Sequence, residues 1–410
     1  MDQNAPAAPT VGGRGVPVAP DLARMHAERV LRLDQEMERA GLDGLVLLGA
    51  GNVSYATGAL APGGDAGRAL TARPVAVVER GGGPAHLYTP YPDGAGPGFP
   101  ADHVHDAVYP DLEEGAAALA ALLDGRFPAG ARLGFDELTH PLRSVVGRWE
   151  VVAAQAVTGA AKVVKTVDEL ACIRRAQHIN EEAMRQVMPR LRPGVRQCDL
   201  TGRFLRLVHQ MGATSNCIDP IWQPMPETLA LGPWTTHGEV AFPTASSDRI
   251  LRDGDVVWVD TGIGYHGYAS DFGRTWLVGD DPRPTARQQS QFERWSAVMA
   301  ATLERCKPGA SGLDLTRAAT AANGGSRPWA QHFYLAHGVG TESAEMPLIG
   351  TDLGEGFDER LVLAPGMVLV LEPIIWDDGA AGYRSEDVFA VTDDGWMALS
   401  DFPFDPYASR

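Results

Sequence analysis

Two apolar runs in this chain end on a carboxylate, and this limits the fold more than any other feature. VVWVDTG (256–262) leads to Asp260, and MVLVLEP (367–373) delivers Glu372 just before Pro373. Near-continuous apolar runs of this length read as buried strands. A charged group at such a strand end is costly to bury unless it is paired or metal-bound. The fold must therefore bring compensating groups to both places.

Three other residues are placed to join them. Asp271 lies 11 residues after Asp260, and the intervening TGIGYHGYAS holds three glycines and suits a hairpin. A hairpin of that length returns the second aspartate beside the first, where two carboxylates repel unless cations sit between them. The local alternative is that Asp260 caps a turn and Asp271 pairs with Arg274. His337 lies in AHGVG, where the glycines around Val339 allow close backbone approach and the imidazole can project into a site. Glu386, in YRSEDVFAV, enters another strand. Asp387 beside it points to the opposite face, whereas Arg384 shares Glu386's face and can pair with it instead. Four carboxylates and one imidazole make a hard, oxygen-rich set, suited to two divalent ions sharing bridging carboxylates.

Bulk properties bound the setting. At 410 residues the chain exceeds one ordinary core, so two domains are expected. The net charge of −17 argues against nucleic acid or anionic membrane as a partner. No apolar run approaches the roughly 20 residues that span a bilayer. Cys172, Cys198, Cys217 and Cys306 are widely spaced without a CxxC, which reads as reduced thiols in a cytoplasmic protein. Residues 1–20 start with an acid, lack the apolar core of a signal peptide and read as a flexible arm.

Residues 21–160 alternate helix and strand. An amphipathic helix covers 21–40, strands cover 44–49, 74–80 and 132–137, and an alanine-rich helix lies near 114–125, an α/β pattern. In 161–410, helices near 168–191 and 198–211 precede strands at 256–262 and 273–279. Helices near 285–305 and 312–322 then precede strands at 367–373 and 385–392, an α+β pattern.

The order D-x(10)-D, HGVG, LEP, RSED resembles the pita-bread metalloenzymes: methionine aminopeptidase, aminopeptidase P, prolidase and creatinase. LDGLVLLGAGNVSYATG is similar to the creatinase-type N-terminal domain. KVVKTVDELACIRRAQHI, RILRDGDVVWVDTG, CKPGASGLDL and LAPGMVLVLEP are similar to segments of the catalytic domain. The resemblance implies an α+β pita-bread catalytic domain with an α/β creatinase-type N-terminal domain. It implies that Asp260 chelates one metal, that His337 and Glu372 hold the other, and that Asp271 and Glu386 bridge them. A metal-bridging hydroxide would be the nucleophile, and Mn, Co, Zn or Fe would all serve. It further implies a homodimer whose N-terminal domain reaches toward a partner's site.

The surroundings depart from the peptidase pattern. Peptidases of this type carry a histidine seven residues after the metal histidine, in HGVGxxxHExP; here Ala344 stands there, before Glu345. A second histidine normally precedes S-D-R by a few residues; here Pro243 or Thr244 stands there, with His237 six residues before Pro243 as a substitute. Glu345 is a candidate general acid or base, and Glu342 a weaker, solvent-facing one. The closing FPFDP (402–406), the APDL before the first helix and the missing histidines resemble the metal-dependent dimethylsulfoniopropionate lyase branch. That branch carries an extra aspartate two residues after the first ligand, where this chain has Gly262. The stiff, apolar segment 220–238 is expected over the site, with Trp222, Trp234 and Met225 against substrate. Arg384 is a further substrate-binding candidate.

The reading that follows is a dinuclear metal hydrolase of a small C–N-bonded substrate, with an Xaa-Pro dipeptide as default. The alternatives are a metal-dependent lyase, a creatinase-like hydrolase of a small zwitterion, or a non-catalytic binding module. The five intact ligand positions oppose the last.

Overall fold

The structure is a computed structural model in which residues 18–60, 73–225, 247–377, 379 and 381–403 are described. His237, Trp234, Pro243 and Thr244 lie outside these residues, as does most of the N-terminal arm. The chain forms two compact units, one over Ala19–Leu170 and one whose main body begins at Ala171.

In the first unit, α1 (Leu22–Ala40) starts at Asp21, whose side chain accepts from the Arg24 amide, and ends at Gly41 with φ 64°. A positive φ there is easiest for glycine, which has no Cβ to clash. Beyond it come β1 (Gly44–Leu47), α2 (Ala50–Thr57), β2 (Val75–Glu79), β3 (His86–Tyr88) and β4 (Val104–His105). The unit closes with α3 (Glu113–Asp124), β5 (Arg132–Phe135), α4 (His140–Val145), β6 (Glu150–Ala153) and α5 (Gln155–Val163). The strands form one six-stranded sheet in the order β4-β3-β2-β1-β5-β6. Because strand side chains alternate in direction, Leu45 and Leu47 enter one core while Val46 and Leu48 enter another. Both faces of β1 are thus buried, as its unbroken apolar run requires.

The second unit is entered along α6 (Val167–Val187), followed by α7 (Gln197–Gln210), β7 (Ser215–Pro224), β8 (Val256–Tyr265), β9 (Tyr268–Ala269) and β10 (Phe272–Leu277). Next are α8 (Ala286–Leu303), α9 (Gly312–Ala322), β11 (Ala336–Gly338), β12 (Glu345–Ile349) and α10 (Glu355–Arg360). The unit ends with β13 (Val368–Leu371), β14 (Ile374–Trp376), β15 (Gly382–Arg384), β16 (Asp387–Val391) and β17 (Trp396–Ala398). One sheet runs β10-β8-β7 with β9 attached to β8, and a second runs β12-β11-β13-β16-β17. Among the described residues, one isolated antiparallel bridge, Gly273 to Glu386, joins them.

β7 was not expected from sequence. Its two prolines argue against a central strand, but it lies at the sheet edge, where a missing amide donor costs no ladder bond. The strand form changes the expectation for Trp222. Its side chain is 3% exposed, packs in the core beside Phe204 of α7, and donates to the Thr201 hydroxyl at 3.0 Å. Trp222 therefore faces α7, away from the carboxylates on the other face of the sheet.

Among the described residues no helix is long and apolar enough to cross a membrane. None of the four cysteines forms a disulfide.

Candidate metal centre

Strand period places the ligand candidates. On β8, Val257, Val259 and Ile263 enter the helix-side core, so Trp258 and Asp260 project from the other face. β10 pairs Gly273 with Asp260 and Phe272 with Thr261, which returns Asp271 to the same face as Asp260. The Asn180 amide of α6 donates to the Thr261 carbonyl at 2.8 Å and to the Ser270 hydroxyl at 3.0 Å, while the Asp271 amide donates to Gln177 at 3.1 Å. These buried bonds clamp both ends of the hairpin.

The second sheet supplies the rest. His337 pairs with Val370, and Leu371 pairs with Asp387. By the same alternation, His337, Glu372 and Glu386 share one face. Asp387 takes the other, where it pairs with Arg274 at 2.8 Å. Arg274 also donates to the carbonyls of Glu386, Phe402 and Pro403. Arg274 is thus engaged behind the sheet, and Asp271 is left to the cluster.

All five candidates converge. Carboxylate oxygens of Asp260, Asp271 and Glu386 lie within 4.8 Å of one another. His337 Nε2 lies 3.4 Å from Asp271 Oδ2 and 3.4 Å from Glu372 Oε1. His337 Nδ1 lies 2.9 Å from the Gly338 carbonyl, which can only accept, so Nδ1 carries the proton and Nε2 is the nitrogen turned to the carboxylates. That is the tautomer a metal-ligating histidine needs.

Burial raises the pKa values of Asp260, Asp271 and Glu386, and their like-charged neighbours raise those of Asp271 and Glu386 further. One cation offsets this within the chain. Arg384 is 4% exposed and places Nη1 3.4 Å from Asp260 and Nη2 2.7 Å from Glu386, with Glu372 also in contact. Its guanidinium stacks over the Trp258 ring at 4.4 Å. Burial opposes its charge, but Glu386, Glu372 and Asp260 outweigh burial and raise its pKa. Arg384 therefore binds the ligand set itself, rather than standing out toward substrate.

One guanidinium does not saturate four carboxylates. Asp260 Oδ1 and Glu386 Oε1 are buried without a hydrogen-bond partner. Orphaned buried oxygens beside a correctly oriented imidazole are what a hard divalent ion would satisfy, so the donor set fits metal ions.

The surroundings also have a defined form. Ala344 is exposed, and Glu345 begins β12 buried, opposite Gly338. Gly340 leaves room for that carboxylate: a Cβ there would lie 2.3 Å from it, and the Glu345 side chain would have to shift. At Gly262 a Cβ would lie 2.6 Å from the Ile218 side chain, so Ile218 fills the space an aspartate would need. Tyr334 escaped the sequence reading. Its ring lies 5.0 Å from that of His337, and burial followed by the Glu372 and Asp271 charges keeps its phenol protonated. The only signal for it is its place three residues before His337.

Residues 171–393, more than half of the chain, match the model of Metallopeptidase family M24, and residues 29–169 match the Creatinase/Prolidase N-terminal domain. An uncharacterized peptidase of Bacillus subtilis is 26% identical over 283 residues, spanning 66% of this chain and 73% of that protein. The Xaa-Pro dipeptidase of Pyrococcus furiosus is 29% identical over 241 residues, spanning 58% of this chain and 63% of that protein. A dimethylsulfoniopropionate lyase of Roseobacter denitrificans is 26% identical over 299 residues, spanning 70% of this chain and 63% of that protein. Among solved structures, the prolidase of Pyrococcus horikoshii superposes with a TM-score of 0.69 at 23% identity, covering 92% of this chain and 99% of that one. At that identity the likeness is one of fold.

Proposed function

This chain belongs to metallopeptidase family M24, and we propose that it is a divalent-metal hydrolase of a small C–N-bonded substrate, with an Xaa-Pro dipeptide as default. The observation that carries this is the convergence of Asp260, Asp271, His337, Glu372 and Glu386 around buried oxygens that have no partner.

In this reading Asp260 would hold one ion and His337 Nε2 and Glu372 a second, with Asp271 and Glu386 available to both. Mn, Co, Zn and Fe all suit such donors. Bound there, divalent ions supply Lewis acidity and a water acidic enough to ionise near neutral pH. The chain's own residues do the positioning. Arg384 holds Asp260, Glu372 and Glu386 together, and the Gly338 carbonyl sets the His337 tautomer. Glu345 takes up the proton of the attacking water on its carboxylate and returns it to the leaving nitrogen. A homodimer belongs to the same reading through the family resemblance alone.

A second reading is favoured by one observation: Ala344 presents a methyl group where the peptidase pattern has an imidazole. Loss of one such donor costs about a hundred-fold or more in rate. A lyase builds no tetrahedral intermediate and places less demand on that donor. The deciding experiment incubates the metal-loaded protein with Xaa-Pro dipeptides and, in parallel, with a sulfonium and betaine panel. Free proline supports the peptidase reading. No amine release at full metal loading, with turnover of a sulfonium or betaine, replaces it with the second.

A further inference from the structure

Residues 400–403 follow β17 and run behind the metal centre. The Leu399 amide donates to the Val388 carbonyl at 2.8 Å, and the Val388 amide donates to the Ser400 hydroxyl at 3.0 Å. The Asp401 amide then donates to the Glu181 carboxylate of α6 at 2.8 Å. Phe402 enters the helix-side core with Val257 and Val259 of β8 and with Phe272 and Trp276 of β10. Its ring stands edge-on to Phe272, with centroids 5.0 Å apart. The segment therefore lies on the sheet face opposite Asp260 and Asp271.

What the segment meets there is Arg274. A guanidinium has five N–H donors in a planar fork, and Arg274 places five hydrogen bonds on three stretches of chain. Nε donates to the Pro403 carbonyl at 3.1 Å, and Nη2 donates to the Phe402 carbonyl at 3.0 Å and to Asp387 Oδ1 at 2.8 Å. Nη1 donates to the Gly273 carbonyl at 2.8 Å and to the Glu386 carbonyl at 2.5 Å. Gly273 and Glu386 form the bridge between the sheets, and the Gly273 carbonyl also accepts the Glu386 amide at 3.1 Å. Arg274 thus fastens both sides of the bridge that carries a ligand candidate. Its side chain is fully buried. Without the 402 and 403 carbonyls, two donors would lack partners in a dry core, which is costly unless the fork turns. Turning the fork pulls Nη1 away from Gly273 and Glu386.

We propose that residues 400–403 are a positioning element of the metal centre: by fixing the Arg274 guanidinium they fix the Glu386 backbone, and with it the Glu386 carboxylate. The segment acts through Arg274 and contacts no ion. Metal affinity is therefore set in part from the far face of the sheet. This rests on the metal reading above.

Zinc affinity, read by competition with a colorimetric chelator, tests it without any substrate. Phe402→Ala removes the ring that seats the segment and lowers zinc affinity about 10- to 100-fold, as loss of supporting contacts to metal ligands usually does. Phe204→Ala opens a cavity in the same core, on α7 beside Trp222. It lowers thermal stability and leaves zinc affinity unchanged, which separates positioning from general loosening of the core. Arg274→Lys keeps a charge for Asp387 but, as a compact ammonium, cannot span the three stretches, and it loses affinity as Phe402→Ala does. Each protein is read well below its melting midpoint, with circular dichroism showing that it is folded. Phe402→Leu and Phe204→Leu replace the alanine pair if either of those fails to fold. Wild-type affinity in a folded Phe402 or Arg274 variant, or an equal loss in the Phe204 variant, overturns the proposal and leaves the metal centre standing. Wild-type protein that binds no zinc overturns both.

Discussion

Glu386 rests directly on Gly273. Its amide donates to the Gly273 carbonyl at 3.1 Å, and its Cδ lies 2.6 Å from where a Cβ on residue 273 would be. This one bridge brings the sheet carrying Asp260 and Asp271 against the sheet carrying His337 and Glu372. The absence of a side chain at 273 is therefore a condition of the site. Gly273→Ala pushes the Glu386 carboxylate aside and weakens metal binding by about 10- to 100-fold, as supporting contacts to metal ligands usually do. Competition with a chelator measures it. Wild-type affinity in Gly273→Ala would remove Glu386 from the ligand set.

Asp271 lies within reach of both halves of the cluster. Asp271→Asn loses a negative charge and one ligand oxygen while keeping its shape, so both metal binding and turnover are abolished. Metal analysis after gel filtration reads the first, and an unchanged circular dichroism spectrum shows that the fold is intact. Retained metal and activity would overturn the assignment.

Among the described residues, Arg384 is the guanidinium set against Asp260, Glu372 and Glu386. Removing one partner from a buried charge network costs about 3–5 kcal/mol, because the remaining charges are left unpaired. Arg384→Met should show a loss of that order in denaturant unfolding with EDTA, and a smaller loss with metal ions present. Equal losses in both conditions would mean that the guanidinium does not compensate the ligands.

Gly262→Asp tests the space beside the first ligand. Its side chain meets Ile218 at 2.6 Å and the Ser270 carbonyl at 2.9 Å, and overpacking of this kind costs about 1–3 kcal/mol. Adding Ile218→Ala opens the space and recovers part of the stability. If Gly262→Asp alone melts like wild type, Ile218 is not the obstacle.

Glu181 carries a pH dependence. Its carboxyl accepts the Asp401 amide at 2.8 Å and is pushed up to about 8, first by burial and then by Asp387, with Arg274 and Arg185 opposing. The unfolded chain ionises this group near the ordinary carboxylate value, while the folded chain keeps it protonated. Its contribution is therefore fully present at acid pH and is lost as pH rises toward 8. The slope is at most about 1.4 kcal/mol per pH unit. Glu181→Gln flattens that decline in urea unfolding between pH 5 and 8. Parallel curves for the two proteins would refute it.

Much of the site was legible because its residues follow local rules. Asp260 and Glu372 end apolar strands, Asp271 follows a glycine-rich hairpin, and Asp387 alternates with Glu386. Each rule needs only the two-residue period of a strand. Trp222 was not legible, because its direction depends on β7 pairing at a sheet edge despite Pro220 and Pro224. Tyr334 and Ile218 were missed because nothing local ties them to residues far along the chain.

The sequence alone determined which carboxylates and which imidazole reach strand ends, since residue order and strand period are properties of the chain. It also determined the missing imidazole at Ala344. Only the tertiary structure decided how those ends meet. Arg384 had several possible partners, and the approach of two sheets at Gly273 and Glu386 directed it into the carboxylates. Arg274 was turned behind the sheet to Asp387. Such choices depend on distances between residues more than a hundred positions apart, which no local pattern encodes.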